Sequence, residues 1–229
     1  MLDLDSPTPR DPRAFIRNHT ALASPPLLPE IKLHLATEMT PLWWATESWL
    51  EEKGIEPPFW AFAWAGGQVI ARLLLDQPEF VRGRKVLDIA SGSGICALAA
   101  AQAGAQRVIA VDRDALAVQA IALNAEANGL SVETRAADII TPGDLPSWAC
   151  ECDVILAGDV CYDAAMTAAF LPWLQARVAE GMRVFLGDPG RYYLPAVGLE
   201  KLARYRVPAS DDVEAAKEIW GVVYEMLGG

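Results

Sequence analysis

From residue 85 onward, short apolar segments alternate with longer alanine-rich segments. The short segments predict five strands at 85–89, 107–111, 131–136, 152–157 and 182–186, and the longer ones predict helices at 95–104, 114–128 and 164–180. Strands that alternate with helices in this way pair in parallel, and the helices cover both faces of the sheet. The sequence therefore predicts an α/β fold with a doubly wound, mostly parallel, Rossmann-like sheet.

The segments on either side of this region complete the predicted fold. Apolar stretches at 203–207 and 218–227, joined by a polar turn, predict a C-terminal antiparallel hairpin, which brings the sheet to seven strands. Residues 1–57 predict an N-terminal helical extension, with a short helix at 11–22, a proline break and a second helix at 30–38. We expect one domain over 1–229, of which 58–229 form the core.

Composition narrows the class of protein. Hydrophobic residues make up 52% of the chain and charged residues 21%, the balance of a globular protein. The sequence has neither the apolar run of about 20 residues that a membrane helix needs nor the features of a secretion signal or transit peptide. We therefore expect a cytoplasmic protein that binds no membrane.

The net charge of −11 argues against nucleic acid as a partner, because phosphate binding needs a basic face. It fits a basic protein surface that carries lysine better. The four cysteines form no Cys-x-x-Cys pair, and the two histidines lie far from them in sequence, so we expect no metal site.

A glycine-rich turn between the first predicted strand and its helix is the main candidate for a ligand site. The pattern Gly-x-Gly-x-x-Ala begins at Gly92, where a doubly wound sheet binds an adenosine cofactor, although a dinucleotide or a purely structural turn fits the glycines too. Asp88 favours S-adenosylmethionine. Its carboxylate would repel a pyrophosphate, whereas S-adenosylmethionine has no phosphate and carries an ammonium and a sulfonium.

Carboxylates at the ends of the next two strands extend this predicted site. Asp112, at the end of the second predicted strand, lies close to the spacing of about 20 residues at which an acid accepts the ribose hydroxyls. A helix N-cap is its other interpretation, although Asp114 suits that role better. Asp138 could accept from the adenine amino group, or form a turn.

The segment after the fourth strand carries the candidate catalytic residues, Asp159 and Tyr162. Residues just past the carboxyl end of a parallel strand face the ligand crevice, so both side chains could reach a substrate. Packing for Tyr162 and a cap for Asp159 are the structural alternatives. The segment is not Asn-Pro-Pro-Tyr, the pattern of amide or exocyclic base methylation.

Two further segments share this edge of the sheet. Trp64, within the aromatic segment 59–64, could lie against the adenosine, with Gly66 and Gly67 permitting close approach, although such clusters usually form core. Asp188 and Arg191 follow the fifth strand and could line the substrate side, or form a simple turn. The full set of predicted cofactor contacts is Trp64, Asp88, Ala90, Ser91, Gly92, Gly94, Asp112, Asp138 and Gly158.

With these residues laid out, the sequence resembles the seven-strand protein methyltransferases, and within them the lysine methyltransferases of the electron transfer flavoprotein beta subunit. The glycine turn with Asp112 is shared by the whole superfamily. The more specific part of the match comprises His19-Thr20, Pro29-Glu30-Ile31, Pro58 to Gln68, Gly158-Asp159 with Tyr162-Asp163, and Gly187 to Arg191. The family pattern has proline where this chain has Ala65.

The resemblance implies an S-adenosylmethionine-dependent protein-lysine N-methyltransferase, in which Asp159 and Tyr162 form the Asp-x-x-Tyr substrate motif and Trp64 contacts the cofactor. Asp159 would then capture and orient the lysine. The expected partner is the flavoprotein beta subunit, and the expected state is a monomer. Open alternatives are a methyltransferase of ribosomal protein L11, a small-molecule N-methyltransferase, and a cofactor-binding module without catalysis.

Overall fold

The computed structural model describes residues 11–140, 145–208 and 218–228. Its N-terminal segment contains helix α1 (Pro12–His19), a two-stranded antiparallel ribbon of β1 (Ala21–Ala23) and β2 (Leu33–Leu35), and helix α2 (Glu47–Lys53). Asp11 accepts the amide hydrogen of Ala14 and so caps α1. The predicted N-terminal extension is therefore a mixture of helices and a ribbon.

The helix predicted at 30–38 is wrong, because β2 occupies the middle of that range. Side chains of a later helix take up the backbone groups that a helix would have paired within itself. Asn124 accepts the amide hydrogen of His34 at 2.7 Å, and Asn128 both accepts from and donates to the backbone of Lys32. These partners lie about 90 residues away in sequence, so local periodicity could not reveal them.

The core begins with helix α3 and continues with alternating strands and helices. In chain order the elements are α3 (Ala65–Asp76), β3 (Lys85–Ile89), α4 (Ile95–Gln102), β4 (Arg107–Asp112), α5 (Ala115–Asn128), β5 (Glu133–Ala136), β6 (Val154–Gly158), α6 (Ala164–Ala179), β7 (Arg183–Asp188), β8 (Leu199–Pro208) and β9 (Glu218–Met226). Short 3-10 turns lie at Pro41–Trp44, Phe59–Ala61 and Pro78–Phe80.

These strands form a seven-stranded sheet in the order β5-β4-β3-β6-β7-β9-β8. The pairs among β3 to β7 are parallel, whereas β9 runs antiparallel to both β7 and β8. This confirms the predicted mostly parallel sheet with a terminal hairpin. The hairpin's first strand begins earlier than predicted, at Leu199, and the predicted polar turn lies outside the described residues.

Alternate side chains of the central strands pack on opposite faces of the sheet. Val86 and Leu156 pack with α3, α4 and α5, whereas Leu87 and Ile155 pack with α6. All four side chains are buried. Because both faces are covered, the open surface of the sheet is at its strand ends, and that is where a ligand can enter.

The first turn of α3 lies unusually close to the carboxyl ends of β6 and β7. A Cβ placed on Gly66 would lie 2.2 Å from the carbonyl oxygen of Gly187, and one on Gly158 would lie 2.9 Å from the backbone of Gly67. Glycine at these positions lets the helix and the strands touch through their backbones. At Gly66, the close approach that glycine permits is to β7.

Within the described residues, no helix is long and apolar enough to span a bilayer.

Candidate active site

The glycine turn after β3 has the tight geometry that its residues predict. Gly92 and Gly94 have φ of +54° and +80°, and Ala90 also has a positive φ of +47°. The amide of Gly94 donates to the carbonyl of Ser91 at 2.8 Å. Positive φ is costly for alanine, and strained residues of this kind cluster at ligand-binding positions.

Asp88 ends up buried beneath this turn, with its carboxylate held by two donors. It is 1% exposed, and it accepts hydrogen bonds from the hydroxyl of Ser91 and the amide of Ala97. Burial raises the pKa of Asp88 to about 7, against the opposing effect of these donors. A cation placed beside this carboxylate would restore its ionised form.

Asp112 lies at the end of β4, across the turn from Asp88. One carboxylate oxygen accepts from the amide of Gly92 at 2.8 Å and the other from the amide of Asp114 at 3.0 Å. Burial raises the pKa of Asp112. Asp114, rather than Asp112, caps α5 by accepting from the amide of Leu116, as the sequence predicted.

Two spaces that share several lining residues open at this edge of the sheet. The smaller, of about 50 Å³, is lined by Trp64, Asp88, Ser91, Gly92, Gly158, Asp159 and neighbouring residues of the turn. The larger cleft, of about 650 Å³, is lined by Trp64, Ala90, Gly92, Asp112, Asp138, Gly158, Asp159, Tyr162 and Arg191 among others. Asp138 is exposed there and also accepts from the amide of Ile140, so its cofactor role and its turn role are compatible.

Asp159 joins the cleft to the first turn of α3. It has a φ of +60°, and its Oδ2 accepts the amide hydrogen of Gly67 at 2.9 Å. The side chain of Trp64, the N-cap residue of α3, accepts no capping hydrogen bond, so a carboxylate from another element caps this helix. Burial raises the pKa of Asp159 despite the opposing effect of Arg191.

Arg191 reaches the cleft from the loop after β7. Its guanidinium donates to Asp159 at 2.5 Å and to Asp188 at 3.3 Å. Asp188 also accepts the amide hydrogens of Gly190 and Arg191, both at 2.6 Å. The turn interpretation therefore holds for the Asp188 carboxylate, whereas the Arg191 side chain lines the cleft.

Aromatic rings stand around the mouth of the cleft. Phe59 is 53% exposed and lies 6.1 Å, between ring centroids, from both Trp64 and Tyr162. Phe62 lies 5.8 Å from Trp64. Tyr162 is 54% exposed, which argues against the packing alternative for it. These rings offer an apolar path for a flexible side chain.

Two of the predicted site residues do not line either space in the described part of the chain. Asp188 is 1% exposed and lies behind Arg191. Gly94 is the N-cap residue of α4, and a Cβ there would lie 2.9 Å from Ile121, so its contribution is to the turn.

Sequence reasoning missed Asn124, which is fully buried and joins the site to the N-terminal ribbon. Its side chain accepts from His34 and donates to the carbonyl of Ser93 at 2.8 Å. It also missed Trp60 and Glu56, which line the larger cleft. A polar residue on the apolar face of a helix was the one available signal for Asn124.

Comparison with known proteins places this site in a family. Residues 73–182 match the family model described as "Ribosomal protein L11 methyltransferase (PrmA)". The chain is 38% identical over 184 residues to the electron transfer flavoprotein beta subunit lysine methyltransferase of Xenopus laevis, which covers 79% of this chain and 71% of that protein. The Rattus norvegicus protein of the same name is 37% identical over 205 residues, or 86% of this chain and 76% of the relative. The chain belongs to this family of lysine methyltransferases.

The fold of this methyltransferase agrees with solved structures. The ribosomal protein L11 methylase of Lactobacillus delbrueckii subsp. bulgaricus superposes with a TM-score of 0.51 at 21% identity, covering 72% of this chain and 81% of that one. At that identity the likeness shows the shared fold.

Methyltransferases of this family use S-adenosylmethionine, and the residues of the turn fit it. Asp88 is a buried carboxylate whose raised pKa would be relieved by the cofactor's ammonium. Asp112 lines the larger cleft, at the strand end where an acceptor for ribose hydroxyls is expected. The Trp64 indole lines both spaces and can cover the cofactor from the side of α3.

Proposed function

We propose that this methyltransferase transfers methyl groups to lysine side chains of the electron transfer flavoprotein beta subunit. The observation that carries this proposal is that Asp159, Arg191 and the aromatic rings line the same opening of the larger cleft, beside the cofactor turn. A negatively charged group framed by rings suits a lysine, whose stem is apolar and whose end is an ammonium.

The acceptor nitrogen must lose a proton before it can react. The reference pKa of lysine is about 10.4, so only about one amine in a thousand is neutral near pH 7. Once a lysine stem lies between them, the rings of Phe59, Trp64 and Tyr162 would cover it and displace water, which disfavours the ammonium and releases its proton to water. Asp159 orients the incoming side chain, and Tyr162 closes the mouth or hydrogen-bonds the nitrogen.

S-adenosylmethionine, when bound, supplies a methyl group to the nitrogen lone pair while the electron pair of the broken carbon–sulfur bond stays on sulfur. The chain's own contribution is alignment and the exclusion of water. The aromatic side chains of Phe62 and Trp64, which line the smaller space together with the glycine turn, would contribute to both.

Ribosomal protein L11 is a weaker candidate for the substrate. The match to the L11 methyltransferase model spans 73–182 and includes the cofactor turn, but it stops before the loop that carries Arg191 and begins after the rings of Phe59 and Trp64. Asp159 and Tyr162 lie within that match, whereas Phe59, Trp64 and Arg191, which frame the acceptor with them, lie outside it. The longer match to the flavoprotein methyltransferases includes them.

The direct test is incubation of the purified chain with isotope-labelled S-adenosylmethionine and purified flavoprotein, followed by mass spectrometry of the beta subunit. We expect label on lysine of that subunit, and none when L11 replaces the flavoprotein. In a third incubation, a purified small-molecule fraction replaces the protein acceptor. Label on L11 or in that fraction, with none on the flavoprotein, would contradict the proposal.

Asp159→Asn is the isosteric variant: asparagine keeps an acceptor for the Gly67 amide, removes the charge and gives up the acceptor for Arg191. We expect methyl transfer to fall roughly a hundredfold or more, the equivalent of about 2.7 kcal/mol, while cofactor affinity changes by less than about threefold. Unchanged transfer would remove Asp159 from the acceptor site. A collapse of cofactor affinity would instead assign its role to the support of α3.

The predictions of a monomer, of a cytoplasmic location and of a single domain over 1–229 form part of this proposal. They are checked by light scattering, by fractionation of cells and by limited proteolysis.

A further inference from the structure

Arg191 lies between two carboxylates that have little access to water. The side chains of Asp159 and Asp188 are 14% and 2% exposed, and that of Arg191 is 20% exposed. One guanidinium nitrogen, Nη1, donates to both of them. The group therefore carries two negative charges and one positive charge in a medium where charges interact strongly.

The loop after β7 orients the side chain of Arg191. Asp188 ends β7 and accepts the amide hydrogens of Gly190 and Arg191, which closes the loop on the carboxylate. Gly190 has a φ of +91°, a conformation that glycine adopts without strain. Asp188 thus fixes Arg191, and Arg191 fixes the Oδ1 of Asp159, while the Gly67 amide holds the Oδ2.

This arrangement bears on a difficulty in the proposed function. A carboxylate next to an amine stabilises the ammonium and raises its pKa, which opposes the proton loss that methyl transfer requires. A guanidinium already paired with the same carboxylate offsets its charge. Asp159 can then still accept a hydrogen bond from the amine without holding it as an ammonium.

We propose that Arg191 is a positioning residue that holds Asp159 in place and offsets its charge, so that the acceptor lysine beside it can lose its proton to water. The proposal rests on the proposed function and assigns a role within that site. The lysine nitrogen, not Arg191, makes the bond to the methyl carbon.

Among the other titratable groups around Asp159, Asp88 lines the smaller space with it and, with a pKa of about 7, titrates near neutral pH. It does so in the native chain and in the Arg191 variants alike, so its effect cancels when their midpoints are compared. Burial raises the pKa of Cys161 to about 11 and that of Cys96 well above its ordinary value, so both thiols stay neutral. Burial likewise raises the pKa of Tyr224, which faces Asp188 from β9. On the segment after Asp159 itself, the remaining groups are Tyr162 at the mouth and Asp163, whose carboxylate caps α6.

The test is the pH dependence of kcat in Arg191→Met, Arg191→Lys and the native chain, with the flavoprotein as acceptor. In Arg191→Met, the midpoint of the rise in kcat with pH should move upward by about one unit or more, because the unpaired carboxylate now stabilises the ammonium. Arg191→Lys keeps the positive charge and should restore the native midpoint. Arg82→Met, which removes an exposed arginine remote from the cleft, should leave the midpoint unmoved.

A fall of kcat by the same factor at every pH, with an unmoved midpoint in Arg191→Met, would overturn the proposal in favour of a purely structural arginine. If Arg191→Met does not fold, judged by circular dichroism, then Arg191→Gln takes its place with the same expectation.

A second readout needs no acceptor protein. Carbon-13 NMR of labelled aspartate carboxyls should show Asp159 titrating at higher pH in Arg191→Met than in the native chain. An unchanged Asp159 titration would refute the role of Arg191. If Asp159 titrates at higher pH in Arg191→Met than in the native chain, but the native chain transfers no methyl group to the flavoprotein, the role of Arg191 stands and the proposed substrate is refuted.

Discussion

The carboxylate of Asp88 shows what a single residue contributes to this site. It is buried beneath the glycine turn with two hydrogen-bond donors but no cationic partner among the described residues, and burial raises its pKa to about 7. An ionised carboxylate in such a place is costly for the protein on its own. The cofactor's ammonium would supply the missing partner. The ionised carboxylate therefore destabilises the chain without cofactor but strengthens cofactor binding.

We expect the affinity for S-adenosylmethionine to fall as the pH drops below about 7, because Asp88 must then lose a proton before it can pair with the ammonium. The dissociation constant should rise by up to about tenfold per pH unit between pH 7 and pH 5. Calorimetric titration measures it. In Asp88→Asn the affinity should be lower at pH 8 and nearly independent of pH, and an equally steep profile in that variant would assign the effect to another group.

The same substitution should stabilise the chain in the absence of cofactor. The pKa of Asp88 is higher in the folded chain than its ordinary value of 3.8, so the folded state binds more protons between about pH 4 and pH 7, and stability declines as pH rises through that window. Urea unfolding at pH 8 should show Asp88→Asn more stable by about 1 to 4 kcal/mol, with the difference shrinking toward pH 4. A less stable variant at pH 8 would contradict this expectation.

Two elements, α3 and α5, hold the site together through contacts distant in sequence. The first turn of α3 lies against the ends of β6 and β7 and takes its cap from Asp159. From α5, Asn124 joins the glycine turn to β2. Each element therefore couples the cofactor turn to a separate part of the molecule.

Gly66→Ala should disrupt the contact between α3 and β7. The added Cβ would lie 2.2 Å from the carbonyl oxygen of Gly187, so one backbone has to move. We expect a loss of about 1–3 kcal/mol or more in the free energy of unfolding, together with weaker cofactor binding. Gly228→Ala is the control, since its Cβ would meet Val178 at an ordinary 3.8 Å. Equal effects of the two substitutions would show that the close approach is unimportant.

Asn124→Ala should destabilise the chain and weaken cofactor binding together. It leaves the amide of His34 and the carbonyl of Ser93 without their partner, at a cost of about 1–3 kcal/mol for the buried Ser93 group and less for the part-buried His34 amide. Asn128→Ala, one helical turn further along α5, loses bonds to the exposed backbone of Lys32, where water can replace them. Urea unfolding and cofactor titration should show a small effect for Asn128→Ala and a large one for Asn124→Ala, and the reverse order would be evidence against the bridge.

At the scale of the whole molecule, the net charge of −11 shapes the encounter with a protein acceptor. An acidic enzyme attracts a basic lysine-bearing surface, and this attraction is screened by salt. The charge has little bearing on the fold itself.

We expect the KM for a basic protein acceptor to rise several-fold between about 50 and 500 mM sodium chloride, because screening weakens electrostatic steering. The KM for S-adenosylmethionine, measured in the same assay, should change much less. A KM for the acceptor that stays flat over this range would indicate that contacts at the mouth, and not the overall charge, bring the acceptor in.

The features that could be predicted from the amino-acid sequence are those encoded by residues close together in the chain. The alternation of apolar strands with helices led to the doubly wound sheet, its hairpin and the edge at which Asp88, Asp112, Asp159 and Tyr162 meet. Glycine spacing led to the turn, and a carboxylate near it led to the cofactor. Each of these inferences depends on residues within one or two neighbouring elements.

Contacts between distant segments decided the rest. The stretch at 30–38 carries a local strand signal, the alternation of apolar Ile31, Leu33 and Leu35 with polar Lys32 and His34, which the helix prediction overlooked. The groups that keep it extended, however, belong to α5. Gly66 meets Gly187, and Asp159 is shared between an amide of α3 and a guanidinium from the loop after β7. Hydrogen bonds and backbone contacts across about 30 to 120 residues leave no periodic trace in the chain, so only the folded molecule shows which groups they join.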